Sequence, residues 1–199
     1  LKQRGMRLAL AGFRTEAKAE YERYRNVAGD YPDLLRAHME KRLGDTQAAL
    51  GHFRDSYRSY AVAYNIYRQN RRPRMAAESI MGWGQAEMQL GKAKDAVDSF
   101  GIARKFFELV LDDYHGVTRA DQGLAEAYKL WGKPDEQLDA ARRAYENFER
   151  YGELHAAASS LADYADAAAR LGDAEKRDTL YMQTFELLVK AAADERDGP

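Results

Sequence analysis

The sequence has no cysteine, only four prolines, and no apolar run approaching the roughly 18 residues of a membrane span. Without thiols, disulfides, thiolate metal sites and cysteine nucleophiles are excluded, and the composition fits a reducing, cytoplasmic setting. The near absence of alternating β-branched runs argues against sheet, and with few prolines to break helices the composition points to an all-α chain. The leading stretch LKQRGMRLALAGF is too short and too basic within its apolar part for a secretory signal, so no membrane insertion is expected. It already lies inside a helical pattern, and the chain reads as a piece of a longer protein.

Catalytic signatures are missing as well. There is no G-x-S-x-G, H-E-x-x-H or G-x-x-x-x-G-K-[ST], and the glycines punctuate helices instead of clustering in a phosphate-binding loop. His38, His52, His115 and His155 are scattered, with no second ligand at metal-binding spacing. Acid pairs such as Glu146 and Glu149 suit solvated helix faces. A non-enzymatic chain with no cofactor and no metal is the expectation.

What is present is charge, alanine and tyrosine. Charged residues make up 32% of the chain, yet the formal net charge is only -1. That near-neutrality disfavours a polyanionic partner, nucleic acid included, for the chain as a whole. The distribution is uneven: residues 1–100 hold 18 basic and 12 acidic side chains, and residues 101–199 hold 13 and 20.

Short glycine corners recur at Gly12, Gly44, Gly91, Gly132 and Gly172, spaced by 32, 47, 41 and 40 residues. Recurrence at that length signals stacked helical hairpins. The most legible stretch is 75–107, MAAESIMGWGQAEMQLGKAKDAVDSFGIARKFF. There Gly84 allows a second helix to approach and Gly91 suits a left-handed helix end. Ala96, Phe100 and Ala103 share one helix face.

Ile80, Trp83, Gly84, Glu87, Gly91, Ala96, Phe100 and Ala103 stand at the spacings of the tetratricopeptide motif, W-x2-L-G-x2-Y followed by A-x3-F. Ile80, Trp83 and Glu87 replace its Trp, Leu and Tyr. The chain over about 1–190 thus resembles a tetratricopeptide repeat (TPR) protein of the longer, about 40-residue type. The resemblance implies an antiparallel helix-hairpin solenoid, a right-handed superhelix of about five repeats and roughly ten helices. The whole of 1–199 is expected to form a single repeat domain with a frayed tail at 192–199.

Periodicity fills in the helices. Phe13, Ala17, Tyr21, Tyr24 and Ala28 mark one, ended by Gly29 and the turn Asp30-Tyr31-Pro32. Leu34, Leu35, Met39 and Leu43 mark a shorter one, and a long helix over roughly 46–69 follows before Pro73. Later faces run through Val117, Leu124, Tyr128 and Trp131, then Leu138, Ala141, Tyr145 and Phe148. Leu154 to Leu171 forms the next, and Tyr181, Phe185 and Leu188 the last.

In TPR proteins the first helix of each hairpin lines a concave groove. Carried over, this places His38, Lys41 and Arg42 there in the second hairpin and Met81, Gln85, Met88 and Gln89 in the third. Gln122, Glu126 and Lys129 follow in the fourth, and Asp163, Asp166 and Arg170 in the fifth. A groove running from basic through Met- and Gln-rich to acidic suits a peptide or partner protein. The carboxylate clamp of chaperone-binding relatives needs asparagine, and the corresponding positions are Met6, His38, Gln85, Glu126 and Asp166, so that clamp is not expected.

Tyr57, Tyr60, Tyr64 and Tyr67 form a stripe beside Arg54 and Arg58. It can be packed core, a second interface joining copies of the chain or another protein, or a surface that stacks RNA bases. The functional expectation is therefore an interaction scaffold, with two alternatives: a sensor or regulatory module of a larger signalling or transcriptional protein, and RNA binding through 53–74.

Overall fold

The computed structural model describes residues 2–27 and 33–194. These form ten consecutive helices and, among the described residues, no strand. They are α1 Lys2–Leu10, α2 Arg14–Val27, α3 Asp33–Ala49, α4 Phe53–Gln69 and α5 Pro73–Gln89, then α6 Ala93–Leu109, α7 Tyr114–Trp131, α8 Pro134–Arg150, α9 Leu154–Arg170 and α10 Ala174–Asp194. The chain divides into two compact units, Leu1–Leu111 and Asp112–Pro199. In the first, α1/α2, α3/α4 and α5/α6 are hairpins; in the second, α7/α8 and α9/α10 are. Within each unit helices pack on their sequence neighbours, and the first helices also touch, α3 on α5 and α7 on α9.

The corners correct the sequence reading. Gly12, Gly51, Gly91, Gly132 and Gly172 carry positive φ, and they stand 39, 40, 41 and 40 residues apart. Each sits in the same double hydrogen bond: Gly91 N donates to Met88 O at 3.0 Å and Lys92 N to Glu87 O at 2.8 Å, as Gly51 N does to Ala48 O and His52 N to Gln47 O. This pairing satisfies the last carbonyls of the first helix and requires a left-handed residue, which glycine adopts without a Cβ penalty. Gly44 is not a corner. It lies inside α3, a 17-residue helix, and is buried. The long helix expected over 46–69 is the end of α3, a glycine turn and α4. Pro73 and Pro134 open α5 and α8, where a missing N–H costs nothing.

Gly44 has another task. Gly5, Gly44 and Gly84 each precede a turn glycine by seven residues, and each faces an aromatic ring from the second helix of its hairpin. A Cβ on Gly5 would lie 2.7 Å from the Tyr21 ring, on Gly44 3.0 Å from Tyr60, and on Gly84 3.1 Å from Phe100. The ring fills what the glycine vacates. Tyr21, Tyr60 and Phe100 are accordingly buried.

Small cores then hold neighbouring helices together, both between and within hairpins. Ala37, Ala63, Tyr67 and Ala76 connect α3, α4 and α5; Ala144, Phe148 and Ala157 connect α8 and α9; Leu161, Ala165, Ala168 and Leu180 connect α9 and α10. In α10, the expected Tyr181, Phe185 and Leu188 do lie on the helix, but at 45%, 64% and 44% exposure they form its outer side. Leu180 and Ala191 face inward. Helix continues through 192–194, where a frayed tail was expected. The expected breaks at Gly29 and Asp30-Tyr31-Pro32, and the tail from 195, lie outside the described residues.

Candidate functional site

Each unit presents a face built by its first helices. In the first unit this face combines α3 and α5. Arg42, Gln85 and Gln89 are exposed on it, and His38 and Lys41 are half-buried. Met81 and Met88 are corrected: at 6% and 9% exposure they turn into the packing between helices, so the apolar part expected of the groove is core. Seven residues are about two turns of helix, so Met81 and Met88 lie on one side of α5, and that side faces inward.

Two members of this face are tied to the tyrosine stripe. Tyr67 Oη and His38 Nδ1 are 2.9 Å apart, with the rings edge to face at 5.4 Å. Tyr60 Oη donates to Asp45 Oδ1 at 2.8 Å, and Lys41 Nζ reaches the same carboxylate at 3.3 Å. Burial first, and the carboxylate second, push the Tyr60 phenol far above its ordinary pKa, so it remains a donor. Asp45 is thus a hub that sequence reasoning missed. Its only signal was its place one turn beyond Lys41.

The stripe itself splits in two. Tyr60 and Tyr67 are core, at 5% and 0% exposure. Base stacking on those two rings is therefore closed off, which withdraws the RNA reading built on the whole stripe. Tyr57 and Tyr64 are half-buried against Trp83, with centroids 5.5 and 5.9 Å away. Lys92 sits 4.6 Å over Tyr57 and Arg68 6.0 Å over Tyr64. Arg54 and Arg58 are exposed, and Arg58 pairs with Asp55 at 3.7 Å.

In the second unit α7 and α9 bring Glu126, Lys129, Asp163, Asp166 and Arg170 together; Gln122 is half-buried on the same helix as Glu126 and Lys129. Lys129 Nζ lies 3.1 Å from Asp166 and 3.7 Å from Asp163, while Arg170 Nε reaches Asp166 at 3.3 Å and Arg170 Nη1 donates to Lys129 O at 3.0 Å. Gln137, fully buried on α8, donates to Asp163 O at 3.1 Å and Asp166 Oδ2 at 3.3 Å. Burial disfavours the charge on Asp166, but hydrogen bonds from Lys129 and Gln137 outweigh it and hold the carboxyl below its usual range. Burial raises Asp163 and Glu126 instead, with a neighbouring carboxylate adding to each. Glu126 is open to water yet flanked by protein.

Below this face Asp121 is fully buried and accepts from Arg143 Nε at 3.0 Å and Nη2 at 2.8 Å, a two-pronged pair that fixes α8 on α7. Among the described residues no group of three or more His, Asp or Glu is arranged to hold a metal. No described helix is long and apolar enough to cross a membrane.

No protein-family model and no curated protein matches the sequence. Solved structures do match. BtubC (BKLC) from P. vanneervenii superposes with a TM-score of 0.83 at 14% identity, covering 94% of this chain and 78% of that one. The fold is that of the tetratricopeptide-like repeat proteins. A putative kinesin light chain from Podosopora anserina with nearly identical TPR-like repeats follows at TM-score 0.81 and 16% identity, covering 96% of this chain and 94% of its own. A Rap protein complexed with Competence and Sporulation Factor matches at 0.74 and 13%, over 96% of this chain and 54% of that chain. The TPR-like chain thus spans about half the length of that Rap protein.

Proposed function

We propose that the chain is a non-enzymatic interaction module that binds a peptide or partner protein on the first-helix faces. One observation carries this: on the first helices of each unit, beside the side that packs, a set of polar side chains is left at the surface, Arg42, Gln85 and Gln89 in the first unit and Glu126 in the second. Glutamine amides both donate and accept, which suits an extended peptide backbone. The Rap structure, solved with a bound factor, supports the reading by analogy of fold. Its length, about twice the matched region, favours as a second reading a sensor or regulatory module within a larger protein.

The units offer opposite charge. Residues 1–111 carry 20 basic and 13 acidic side chains, and 112–199 carry 11 and 19. An acidic partner segment suits the first face and a basic one the second.

The test is binding of a captured, identified partner to the wild type and to three variants: Lys41→Glu/Arg42→Glu, Gln85→Ala/Gln89→Ala, and Asp163→Lys/Asp166→Lys. Loss of at least tenfold in affinity is expected for one of the first two; Lys41→Glu also breaks the contact with Asp45, so the folding of that variant is read from its melting curve. The third breaks the Lys129 and Gln137 contacts, so its folding is read in parallel. A partner held equally well by all three refutes the proposal.

A further inference from the structure

The ring of Tyr60 is enclosed from two sides. Gly44 of its own hairpin flanks it, and so does Gly82 of the following first helix, where a Cβ would come 2.5 Å from the ring. The residue of α3 one repeat before Gly82 is Arg42, and the ring one repeat before Tyr60 is Tyr21. An arginine cannot approach a ring as glycine does. Between α1, α2 and α3 an open cavity of about 250 Å³ remains, with Tyr21 and Arg42 both in its lining.

Its chemistry is lopsided. Ala9, Leu10, Ala49 and the Tyr21 ring supply an apolar hollow. Asp45 is the one carboxylate in the lining, and Tyr60 and Lys41 already engage it. Arg14 also lines the cavity and spends one donor on Ala49 O at 3.3 Å. The Arg42 guanidinium is exposed and, among the described residues, has no hydrogen bond or ion pair of its own. An apolar hollow with an exposed arginine in its lining fits a side group that is greasy beside a carboxylate. Engineered cavities of about 150 Å³ hold benzene, so this one is large enough for a leucine- or phenylalanine-sized group.

We infer that this cavity seats an apolar side chain of an extended partner peptide, and that Arg42, supported by Arg14, pairs with the glutamate or aspartate next to it. The inference deepens the interaction reading above and rests on it. Guanidinium and carboxylate match two-pronged geometry, so the acid, and not merely negative charge nearby, sets the affinity.

The probe is the blocked peptide Ac-Ser-Leu-Glu-Ser-NH2, titrated into the full chain and followed by amide NMR shifts. Shifts at Leu10, Thr46 and Ala49 are expected. Replacing Glu by Gln or Leu by Ala weakens binding at least tenfold. Arg42→Gln weakens the Glu peptide by the same factor and leaves the Gln peptide unchanged. Because Arg42 is exposed, this variant keeps its fold, and the wild-type peptide series decides the matter independently. Equal affinity for the Glu and Gln peptides, shifts confined to other residues, or no shift at millimolar peptide overturns the inference. So does tighter binding of Ac-Ser-Leu with a free C-terminus, which would make the ligand a chain end. If the peptides fail while partner binding still depends on Gln85 and Gln89, the cavity falls and the interaction face stands.

Discussion

The two units solve one packing problem in two ways. In the first, an aromatic ring meets a glycine: Tyr21 on Gly5, Tyr60 on Gly44, Phe100 on Gly84. In the second, the equivalent pair in the hairpin of α7 and α8 is Ala125 and Ala141, both buried. One large side chain against none, or two small ones, fills similar space between helices. What the alanine pair lacks in interlocking shape, the second unit supplies with polar latches, Arg143 on Asp121 and Gln137 on Asp166. Helix spacing is therefore set by the summed volume at the contact, and different residue pairs reach it.

The comparison breaks most sharply at the ring. Phe100→Ala removes a fully buried side chain that nothing nearby can replace, and about 4 kcal/mol of stability is expected to go. Its counterpart Ala141→Gly loses only about 1 kcal/mol, mostly helix propensity. Each unit holds one tryptophan, Trp83 and Trp131, so denaturant titrations followed by fluorescence in Trp83→Phe and Trp131→Phe backgrounds assign each loss to its unit. Equal losses at Phe100 and Ala141 would mean the two solutions are not distinct.

Breaking the latch comes next. Arg143→Met leaves the Asp121 carboxylate buried without its two-pronged partner, at a cost of about 3 kcal/mol. Hydrogen exchange should show the loss in α7 and α8. Gly82→Ala follows at about 2 kcal/mol, because its Cβ would run into a Tyr60 ring held by Asp45 and overpacking outweighs the gain in helix propensity.

Arg71→Gly sharpens the corners. Arg71 holds a φ of 52° between α4 and α5, where the α8 to α9 corner uses Gly152. Relieving that strain should stabilise the first unit by about 1 kcal/mol, seen as a raised urea midpoint.

The smallest effect concerns Glu87, 4% exposed and accepting from Ser99 Oγ at 2.7 Å. Burial raises its pKa, partly offset by that hydrogen bond. Below the unfolded carboxylate value, about 4.3, both states are protonated. As pH rises from there through the folded value, the folded state keeps a proton that the unfolded state has released, so stability falls, and the full penalty remains at neutral pH. Glu87→Gln should therefore be more stable than the wild type at pH 7, with the difference vanishing near pH 4 in parallel urea titrations.

Much of this was legible in the chain. Gly12, Gly91, Gly132 and Gly172 were identified as corners because a left-handed helix end selects glycine whatever surrounds it. Gly44 misled because a glycine that ends a helix and one that admits a ring are the same residue in sequence; only the enclosed Tyr60 separates them. Met81 and Met88 misled similarly. An inner-face position and an inter-helix position differ by one step around a helix, and which side is covered depends on how the next hairpin leans.

Local rules, the 3.6-residue period and the conformational freedom of glycine, were enough to establish helical hairpins repeating near forty residues. Tertiary structure alone decided which polar groups are spent and which are free: Asp45 under Tyr60, Asp166 under Gln137, Arg42 left open beside a hollow. Those outcomes depend on distances between residues far apart in sequence, 15 positions for Asp45 and Tyr60 and 29 for Gln137 and Asp166, and helix packing, not helix formation, determines them.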